Sequence, residues 1–373
     1  EPKKRKQVFD EFISKTRYIS PVIKWRFDQM GKIYSEYSGK KLTPLEGYLE
    51  NEKISYTKLI GFVKSMGNRA KKPFQEALQS ISRKVLGREA EYYDDFYFFR
   101  NKVYADLGKE FAGINPPELV WRILTKMQFD LSSVHIDTQN RKNKYPSPIC
   151  FFVQVPNDIR VLYKSESPYF DLQGCYHEMG HAVHASSVNP QSEYWNRYCF
   201  SMGIAEVFSI FLERLTKNSK YLSSLGTKNT QLLEEIESRN KFMELFFVTF
   251  YTANSLMKAE FWHKALSIEK ASDLYAKVIK EYTGFEIPGE YWMLHHILPD
   301  SIMYVPSYLI AAVRAAEFEH HVQDRFGNKW WTQVEAGKYI REIMEPGAAI
   351  ELSKFSKLDS SLFMNKITDD GGV

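Results

Sequence analysis

Residues 177–181 read His-Glu-Met-Gly-His and lie inside a stretch, 171–187, whose apolar residues recur with helical spacing. Residues four apart on a helix stand on the same face, so His177 and His181 can present two imidazoles to one metal ion. Glu178 is offset by one position, where its carboxylate can take a proton from a water activated by the metal. The pattern is typical of zinc proteases and predicts one catalytic zinc ion per chain.

A catalytic zinc ion needs a third protein ligand and keeps one position open. Glu206 is the best candidate, because it lies beside the apolar stripe of the next amphipathic stretch, 200–217, where an unpaired carboxylate would be costly. Glu213 is a rival ligand or an outer partner of the site, and a surface carboxylate is an equally good interpretation. His184 fits an outer partner or a core residue better than a ligand, because three ligands on one straight helix strain the geometry.

Two short apolar runs before the histidine stretch predict β-strands at 149–155 and 159–163, and the turn residues between them predict a hairpin. Elsewhere, apolar residues recur at three- and four-residue spacing and predict helices. The predicted helices are 8–36, 53–86, 88–109, 171–187, 200–217, 229–266, 271–282, 289–296, 301–324 and 331–344. The sequence therefore predicts a mainly α-helical fold with a small β-sheet beside the histidine helix.

The composition is that of a globular protein and argues against several classes of partner. Apolar residues make up 44% of the 373 residues and charged residues 26%, which is enough for a sizeable core. The net charge of +4 is too small to indicate a nucleic-acid partner. No apolar run approaches the roughly 20 residues of a membrane span. We therefore expect neither nucleic acid nor a membrane as a partner.

The cysteines argue against a disulfide scaffold. Cys150, Cys175 and Cys199 are odd in number and form no CxxC pair, so a cysteine-ligated zinc site is not expected either. Free thiols favour a reducing compartment, and the expected location is the cytoplasm. The chain begins with Glu rather than Met, which we interpret as a fragment or a processed form.

The stretch 177–184, His-Glu-Met-Gly-His-Ala-Val-His, resembles the extended zinc motif of the thimet oligopeptidase and oligoendopeptidase F family of zinc metallopeptidases. That motif carries Gly before the second His and another His three residues later. Glu206 follows His181 by 25 positions and is itself followed by Ser209, which is similar to the family's spacing. The resemblance implies that His177, His181 and Glu206 are the zinc ligands.

Further segments resemble the same family. Residues 136–146 are similar to its Asp…Arg…Lys segment, and residues 337–347 to its C-terminal segment. Residues 295–308 resemble its histidine-then-tyrosine segment, in which His296 and Tyr308 are twelve residues apart. The family has a Gly-Tyr pair inside this segment, whereas the present chain has Asp-Ser.

The histidine-then-tyrosine segment implies which residues contact the substrate. By resemblance, Tyr308 and His296 donate hydrogen bonds to the oxyanion of the transition state. Tyr304 and His295 are expected to contact the substrate. The register could slip by one residue, so His295 competes with His296 for the catalytic role. The alternative for Tyr308 is a core aromatic in a helix rich in Tyr and Ala.

The resemblance implies a single peptidase unit over residues 1–373, with two lobes flanking a deep channel in a zincin-type fold. Residues 1–130 are expected to form a helical lobe, and residues 131–373 the zinc-binding catalytic region. The implied substrates are short unstructured peptides. Zinc lowers the pKa of its water toward about 7, and Glu178 moves the proton to the leaving amine. One of the two predicted strands is expected to pair with the substrate backbone.

Two other functions fit the same residues. The first is a carboxypeptidase or peptidyl-dipeptidase resembling angiotensin-converting enzyme, which also uses His-Glu-Met-Gly-His but places its glutamate one residue closer. The second is a non-catalytic helical binding module that keeps zinc as structure. An intact Glu178 and an open ligand position argue against this module, since structural zinc sites are usually closed. The sequence therefore favours a zinc metalloendopeptidase that cleaves short oligopeptides.

Overall fold

The chain forms two compact units. A computed structural model describes residues 1–39, 42–145, 147–165, 167–295 and 303–368. The first unit comprises Glu1–Val103, Lys241–Leu309 and Met364–Val373, and the second comprises Tyr104–Asn240 and Ile310–Phe363. The boundary expected near residue 130, between a helical lobe and the catalytic region, stays a prediction.

Helices dominate both units, which confirms the mainly α-helical fold expected from the sequence. Their bounds are α1 Pro2–Ser14, α2 Thr16–Ser38, α3 Pro44–Glu52, α4 Tyr56–Leu86, α5 Asp95–Tyr97, α6 Pro116–Lys126, α7 Pro168–Ser186, α8 Tyr194–Tyr198, α9 Met202–Ala205, α10 Val207–Glu213, α11 Ser219–Ser224, α12 Thr230–His263, α13 Ile268–Thr283, α14 Trp292–His295, α15 Val305–Phe326, α16 Val334–Met344 and α17 Ser361–Thr368. Among the described residues, none of these helices combines the length and apolar character needed to cross a bilayer.

Aromatic side chains of α4 and α12 pack together in the core of the first unit. The Phe74 ring of α4 lies 5.8 Å from the rings of both Phe242 and Phe246 on α12. A close helix contact adds to this packing, because a Cβ at Gly67 of α4 would lie 2.4 Å from Cγ2 of Thr252. The aromatic contacts and the missing side chain at position 67 together hold α4 against α12.

The continuous helix predicted over 88–109 is wrong. Residues 92–111 instead form several short helical turns of different winding, of which α5 is one. Asp94 is fully buried, and its carboxylate accepts hydrogen bonds from the backbone N–H of Glu91 and the guanidinium of Arg88. Local bonds of this kind compete with the helical ladder, so regular apolar spacing alone did not produce a long helix.

The sheet has the strand order β1-β3-β2, with strands at Val134–Asp137, Ile149–Gln154 and Asp158–Leu162. β2 and β3 pair antiparallel, which confirms the predicted hairpin. β1 pairs with β3 in parallel and was not predicted. Because β3 is the central strand, both of its edges are already paired. The predicted pairing of the substrate backbone with residues 159–163 is therefore wrong. The outer edge of β2 stays the candidate for such pairing.

The helix predicted over 200–217 is interrupted at Glu206. α9 ends one residue before Glu206, α10 begins one residue after it, and a tighter turn over Arg214–Lys217 follows α10. The hydroxyl of Ser209 donates to the backbone carbonyl of Glu206 at 2.9 Å, and side-chain bonds of this type compete with regular helical pairing. The interruption places Glu206 at a helix junction.

The histidine helix α7 is central to the second unit. It packs against α10, α6 and both strands of the hairpin. Tyr169, Leu172 and Tyr176 are fully buried along it, together with Met179 and Ala182. Pro168 occupies the first turn, where its missing N–H costs no helical hydrogen bond. The helix that carries 177–181 is thus held on several sides, which fixes the directions of its side chains.

Candidate metal centre

Three potential metal ligands converge in the second unit. His177 and His181 lie on α7, and Glu206 lies at the junction of α9 and α10. Oε2 of Glu206 is 3.2 Å from Nε2 of His177 and 3.5 Å from Nε2 of His181. One ligand atom from each residue lies within 4.8 Å of the others. Within the described ranges, no other group of three His, Cys, Asp or Glu residues converges in this way.

A close approach of α7 and α10 brings these ligands together. Gly180 lies between the two histidines in the sequence, and a Cβ built on it would lie 2.4 Å from the carbonyl oxygen of Phe208 and 2.5 Å from Cα of Ser209. Both contacts are with backbone atoms, so a larger residue at this position would push α10 away from α7. Glycine at position 180 therefore sets the distance between the two helices.

Glu206 is held as a buried carboxylate. It is 4% exposed, and the hydroxyl of Ser209 donates to its Oε2 at 3.1 Å. Burial raises the pKa of Glu206, but the charge of His181 and the hydrogen bonds from His177 and His181 outweigh burial, so the pKa lies well below its usual value. The ionised form is the one that binds a metal ion.

His177 has a carboxylate on each side of its ring. Its Nε2 faces Glu206, and its Nδ1 lies 2.9 Å from Oε2 of Glu213. A carboxylate can only accept, so the Nδ1–H donates this bond. Burial lowers the pKa of His177, but the hydrogen bonds and charges of Glu206 and Glu213 outweigh it and raise the pKa well above its usual value. Glu213 thus meets the ring at the nitrogen opposite the ligand cluster.

Glu213 is itself paired with Lys217, one helical turn later. Nζ of Lys217 lies 2.9 Å from Oε1 of Glu213. Burial raises the pKa of Glu213, but the charge of Lys217 and the hydrogen bond from His177 outweigh it and lower the pKa to about 2. The sequence analysis did not single out Lys217. The signal that could have found it is the four-residue spacing of an acid and a base.

The donor set of the cluster fits zinc. Two imidazole nitrogens and one carboxylate oxygen are a common set of three ligands in catalytic zinc sites. The Nδ1–H bond from His177 to Glu213 leaves Nε2 directed at the cluster, which is the arrangement that ligating histidines adopt. The residues that would hold the ion are His177, His181 and Glu206.

Glu178 lies on α7, the helix that packs against strand β2. It directly follows His177 on α7 and is half-buried. Burial raises the pKa of the Cys150 thiol on β2, and the negative charge of Glu178 raises it further. Burial, followed by the charges of Glu178 and Asp171, raises the pKa of Cys175, one turn earlier on α7. All three cysteines are free thiols, as the sequence suggested.

Strand β2 passes beside His181. The ring of Phe152 lies 6.5 Å from the imidazole of His181 and meets it edge-on. Phe151 and Val153 alternate with it and are 46% and 53% exposed. A strand directs successive side chains to opposite faces, so Phe152 points toward α7 while its neighbours point to solvent. The outer strand β2 therefore lies next to His181, one of the three candidate ligands.

His184 lies outside the cluster. It is 1% exposed, and its ring packs between Phe200 and Phe208 at 4.7 and 4.5 Å. Burial, assisted by the charge of His181, lowers the pKa of His184 to about 3. Its Nε2 has no hydrogen-bond partner in the part of the chain that the structure describes. The structure therefore supports the interpretation of His184 as a core residue.

Tyr304 and Tyr308 lie together in the first unit, at and just before the start of α15. The rings of Tyr308 and Tyr251 stack at 5.1 Å with an angle of 9° between them. Tyr304 meets Tyr308 edge-on at 4.9 Å, and Phe247 contacts the same ring. Both tyrosines are half-buried. Their predicted contacts with the substrate stay predictions.

Only one of the two predicted histidines of the same segment lies among the described residues. His295 is the last residue of α14, and His296 lies outside the described residues. The Asp300-Ser301 pair also lies outside them. The roles expected for His295 in substrate binding and for His296 at the oxyanion therefore stay predictions.

Comparison with known proteins finds similarity at the level of structure. No protein-family model matches the chain, and no curated protein matches it. The chain is similar to the structure of metallocarboxypeptidase 1 from Trypanosoma cruzi, with 18% identity and a TM-score of 0.65 over 97% of this chain and 80% of that one. It is also similar to an M32 carboxypeptidase from Deinococcus radiodurans R1, with 14% identity and a TM-score of 0.64 over 98% of this chain and 78% of that one.

A third similar structure comes from Bacillus anthracis strain Ames and is assigned as an oligoendopeptidase F. It shares 13% identity with the chain, with a TM-score of 0.63 over 99% of this chain and 66% of that one. At these identities the likeness shows the fold alone, which is the mainly α-helical fold that the chain shares with these three structures. Because carboxypeptidase and oligoendopeptidase structures match alike, the fold does not single out the thimet and oligoendopeptidase F family.

Proposed function

We propose that the chain is a zinc metallopeptidase that hydrolyses short peptides. The observation that carries the proposal is the convergence of His177, His181 and Glu206, with Glu178 on the same helix as the two histidines. This donor set is that of a catalytic zinc ion, which keeps one coordination position open. The likeness to carboxypeptidase and oligoendopeptidase structures supports the same class of reaction.

The chemistry divides between the ion and the residues around it. When bound, zinc would act as a Lewis acid that polarises the scissile carbonyl and makes water more acidic. The Glu178 carboxylate would take the proton of the attacking water and deliver it to the leaving amine. The outer edge of β2 would accept the substrate backbone by strand addition.

We assign the oxyanion donors by resemblance. Tyr308 and His296 would donate hydrogen bonds to the oxygen that gains charge in the transition state. The stacking of Tyr308 on Tyr251 restricts its ring plane, which suits a positioned donor. Loss of one such donor typically lowers kcat by about 10²–10³-fold. Tyr304 and His295 would contact the substrate.

Cleavage of internal bonds is the first candidate activity, because 177–184 and the Glu206 segment resemble oligopeptidases. Removal of C-terminal residues is the second, because two of the similar structures are carboxypeptidases. A peptide with an acetylated N-terminus and an amidated C-terminus separates the two, since a carboxypeptidase requires a free carboxylate. Internal fragments in the mass spectrum would support the endopeptidase. Stepwise shortening of the free-acid peptide alone would support the carboxypeptidase or a peptidyl-dipeptidase.

The direct test of the proposal is the variant Glu178→Gln, with Glu110→Gln as its control. Glu110 is an exposed carboxylate of the same unit. We expect Glu178→Gln to retain zinc and to cleave a quenched fluorescent peptide about 10²–10⁴-fold more slowly, because the proton acceptor is lost. The control should match the wild type. An unchanged rate in Glu178→Gln contradicts the proposed mechanism, and zinc without cleavage of any peptide in a library would support a binding module instead.

A further inference from the structure

Helix α12 carries two polar side chains in the interior of the first unit. Lys258 is 4% exposed and Ser255 is 2% exposed. Neither Nζ of Lys258 nor Oγ of Ser255 has a hydrogen-bond partner in the part of the chain that the structure describes. An unpaired polar group in the interior costs free energy, and a charged group costs more. Two such groups on one helix therefore indicate a ligand that the described chain does not supply.

The two groups lie on the same face of α12. Ser255 precedes Lys258 by three residues, so their Cβ atoms are neighbours on the helix surface, about 5–6 Å apart. A long side chain on a helix leans over the turn that precedes its own Cα. The side chain of Lys258 therefore extends toward the turn that holds Ser255, and one small ligand can contact both groups.

A second cation, Arg26 on α2, lies near Lys258. The next residue of α2, Phe27, packs against Phe261 and Trp262 of α12 at ring distances of 5.3 and 5.4 Å. Burial lowers the pKa of Lys258 well below its usual value, and the positive charge of Arg26 lowers it further. Among the described residues, no carboxylate raises this pKa. The described surroundings therefore do not provide the negative charge that a buried ammonium requires.

We propose that Lys258 and Ser255 form a buried site for a small monovalent anion such as chloride. The anion would accept hydrogen bonds from the ammonium of Lys258 and the hydroxyl of Ser255. Its negative charge would offset the repulsion between Lys258 and Arg26 and favour the charged form of the lysine. A small ion suits this position, because both side chains that would bind it are almost fully buried.

Urea unfolding of the purified chain in sodium chloride tests the site. Gluconate replaces chloride at constant ionic strength, because gluconate is too large for a buried position. A ligand that binds only the folded chain lowers the unfolding equilibrium constant by a factor of one plus the ratio of its concentration to its dissociation constant. We therefore expect this equilibrium constant to fall about 11-fold at a chloride concentration ten times the dissociation constant.

Lys258→Met is the decisive variant, and Lys277→Met is its control. Methionine keeps an unbranched side chain but donates no hydrogen bond, so Lys258→Met should not respond to chloride. Lys277 is an exposed lysine of α13 in the same unit, and its variant should respond as the wild type does. Ser255→Ala should weaken chloride binding by about 10-fold or more, because one donor to the ion is lost.

Two results would overturn the inference. One is a wild type that does not respond to chloride, and the other is an equal response in the wild type and Lys258→Met. If Lys258→Met does not fold, anomalous scattering from bromide-soaked crystals of the wild type replaces it. A bromide peak within hydrogen-bond distance of Nζ of Lys258 supports the site, and no peak there contradicts it.

These outcomes are independent of the proposed function. Lys258, Ser255 and Arg26 belong to the first unit, whereas the proposed zinc ligands belong to the second. None of the measurements involves peptide cleavage or zinc. Loss of the anion site would therefore leave the peptidase proposal standing, and loss of the peptidase proposal would leave the anion site standing.

Discussion

His177 and His184 stand two turns apart on the same helix, yet their surroundings are opposite. His177 has a carboxylate oxygen within 3.2 Å of each ring nitrogen. His184 is enclosed by Phe200 and Phe208 and lacks a hydrogen-bond partner at Nε2 among the described residues. The two carboxylates lie on α10 and at its junction with α9. These segments, which pack beside α7, therefore decide which histidine can hold a metal ion.

The two surroundings also move the two pKa values in opposite directions. The hydrogen bonds and charges of Glu206 and Glu213 outweigh burial and raise the pKa of His177. Burial, with the charge of His181, lowers the pKa of His184 to about 3. One imidazole is therefore held by charge and the other by apolar packing. Substitutions of the two histidines, and of the helix contact that brings the carboxylates to His177, test whether these different surroundings account for metal binding.

The largest expected effect is on metal affinity. His177→Gln removes a proposed direct ligand of the ion. It should therefore weaken zinc binding by more than about 100-fold, which is the loss expected when only an outer partner is removed. His184→Leu should keep wild-type affinity, since its ring faces Phe200 and Phe208. Chelator competition on both purified variants measures this. Equal losses in the two variants would mean that the carboxylates do not distinguish the histidines.

The second effect concerns the helix contact that brings the carboxylates to His177. Gly180→Ala should lower the free energy of unfolding by about 1–3 kcal/mol and weaken zinc binding, because its Cβ would meet the backbone of Phe208. Gly61→Ala on α4 is the matched control, since nothing lies within 4 Å of its Cβ. Alanine there should raise stability by about 0.5–1 kcal/mol. Urea unfolding checks both, and a stability gain in Gly180→Ala would contradict the close contact.

Local spacing in the sequence was enough to predict half of this site. His177, Glu178 and His181 follow from helical geometry within five residues, and the turn residues between β2 and β3 predicted the hairpin. The apolar stripe of 200–217 indicated Glu206, and the resemblance supported it through its distance from His181. These features depend either on residues that are close together in the sequence or on a spacing that recurs in the oligopeptidase family that the chain resembles.

The rest of the site depends on contacts that spacing does not encode. Apolar periodicity predicted one helix over 200–217, whereas the chain is interrupted at Glu206. The parallel pairing of β1 joins residues about 25 positions apart, and only the folded sheet reveals it. Lys217 follows Glu213 by only four residues, but His177, the other partner of Glu213, lies on another helix. Tertiary packing decides each of these features.

A further expected effect is on the pH dependence of the metal-free protein. His184 has a pKa of about 3 when folded and 6.5 as the reference for the unfolded chain, so the unfolded state binds more protons between these values. Stability should therefore rise with pH across this window, and His184→Leu should flatten the rise. Urea unfolding from pH 4 to about 6.5 measures the slope. An unchanged slope in the variant would contradict the apolar surroundings of His184.

His177 should show the opposite sign. Its folded pKa is raised above 6.5, so the stability that its charged form contributes is complete below about pH 6.5 and is lost as the pH rises through the folded value. In the metal-free protein, His177→Gln should therefore flatten the alkaline side of the stability curve. The same unfolding series, extended upward in pH, checks this. A variant that flattens the acid side instead would reverse the assignment of the two histidines.

Anomalous X-ray scattering at the zinc edge, measured on crystals of the zinc-loaded protein, would locate the metal ion directly. We predict one strong peak per chain, bound by Nε2 of His177, Nε2 of His181 and one carboxylate oxygen of Glu206, with Glu213 on the far side of the His177 ring. A peak ligated by Glu213 or His184, or no peak between α7 and α10, would contradict a zinc site formed by His177, His181 and Glu206.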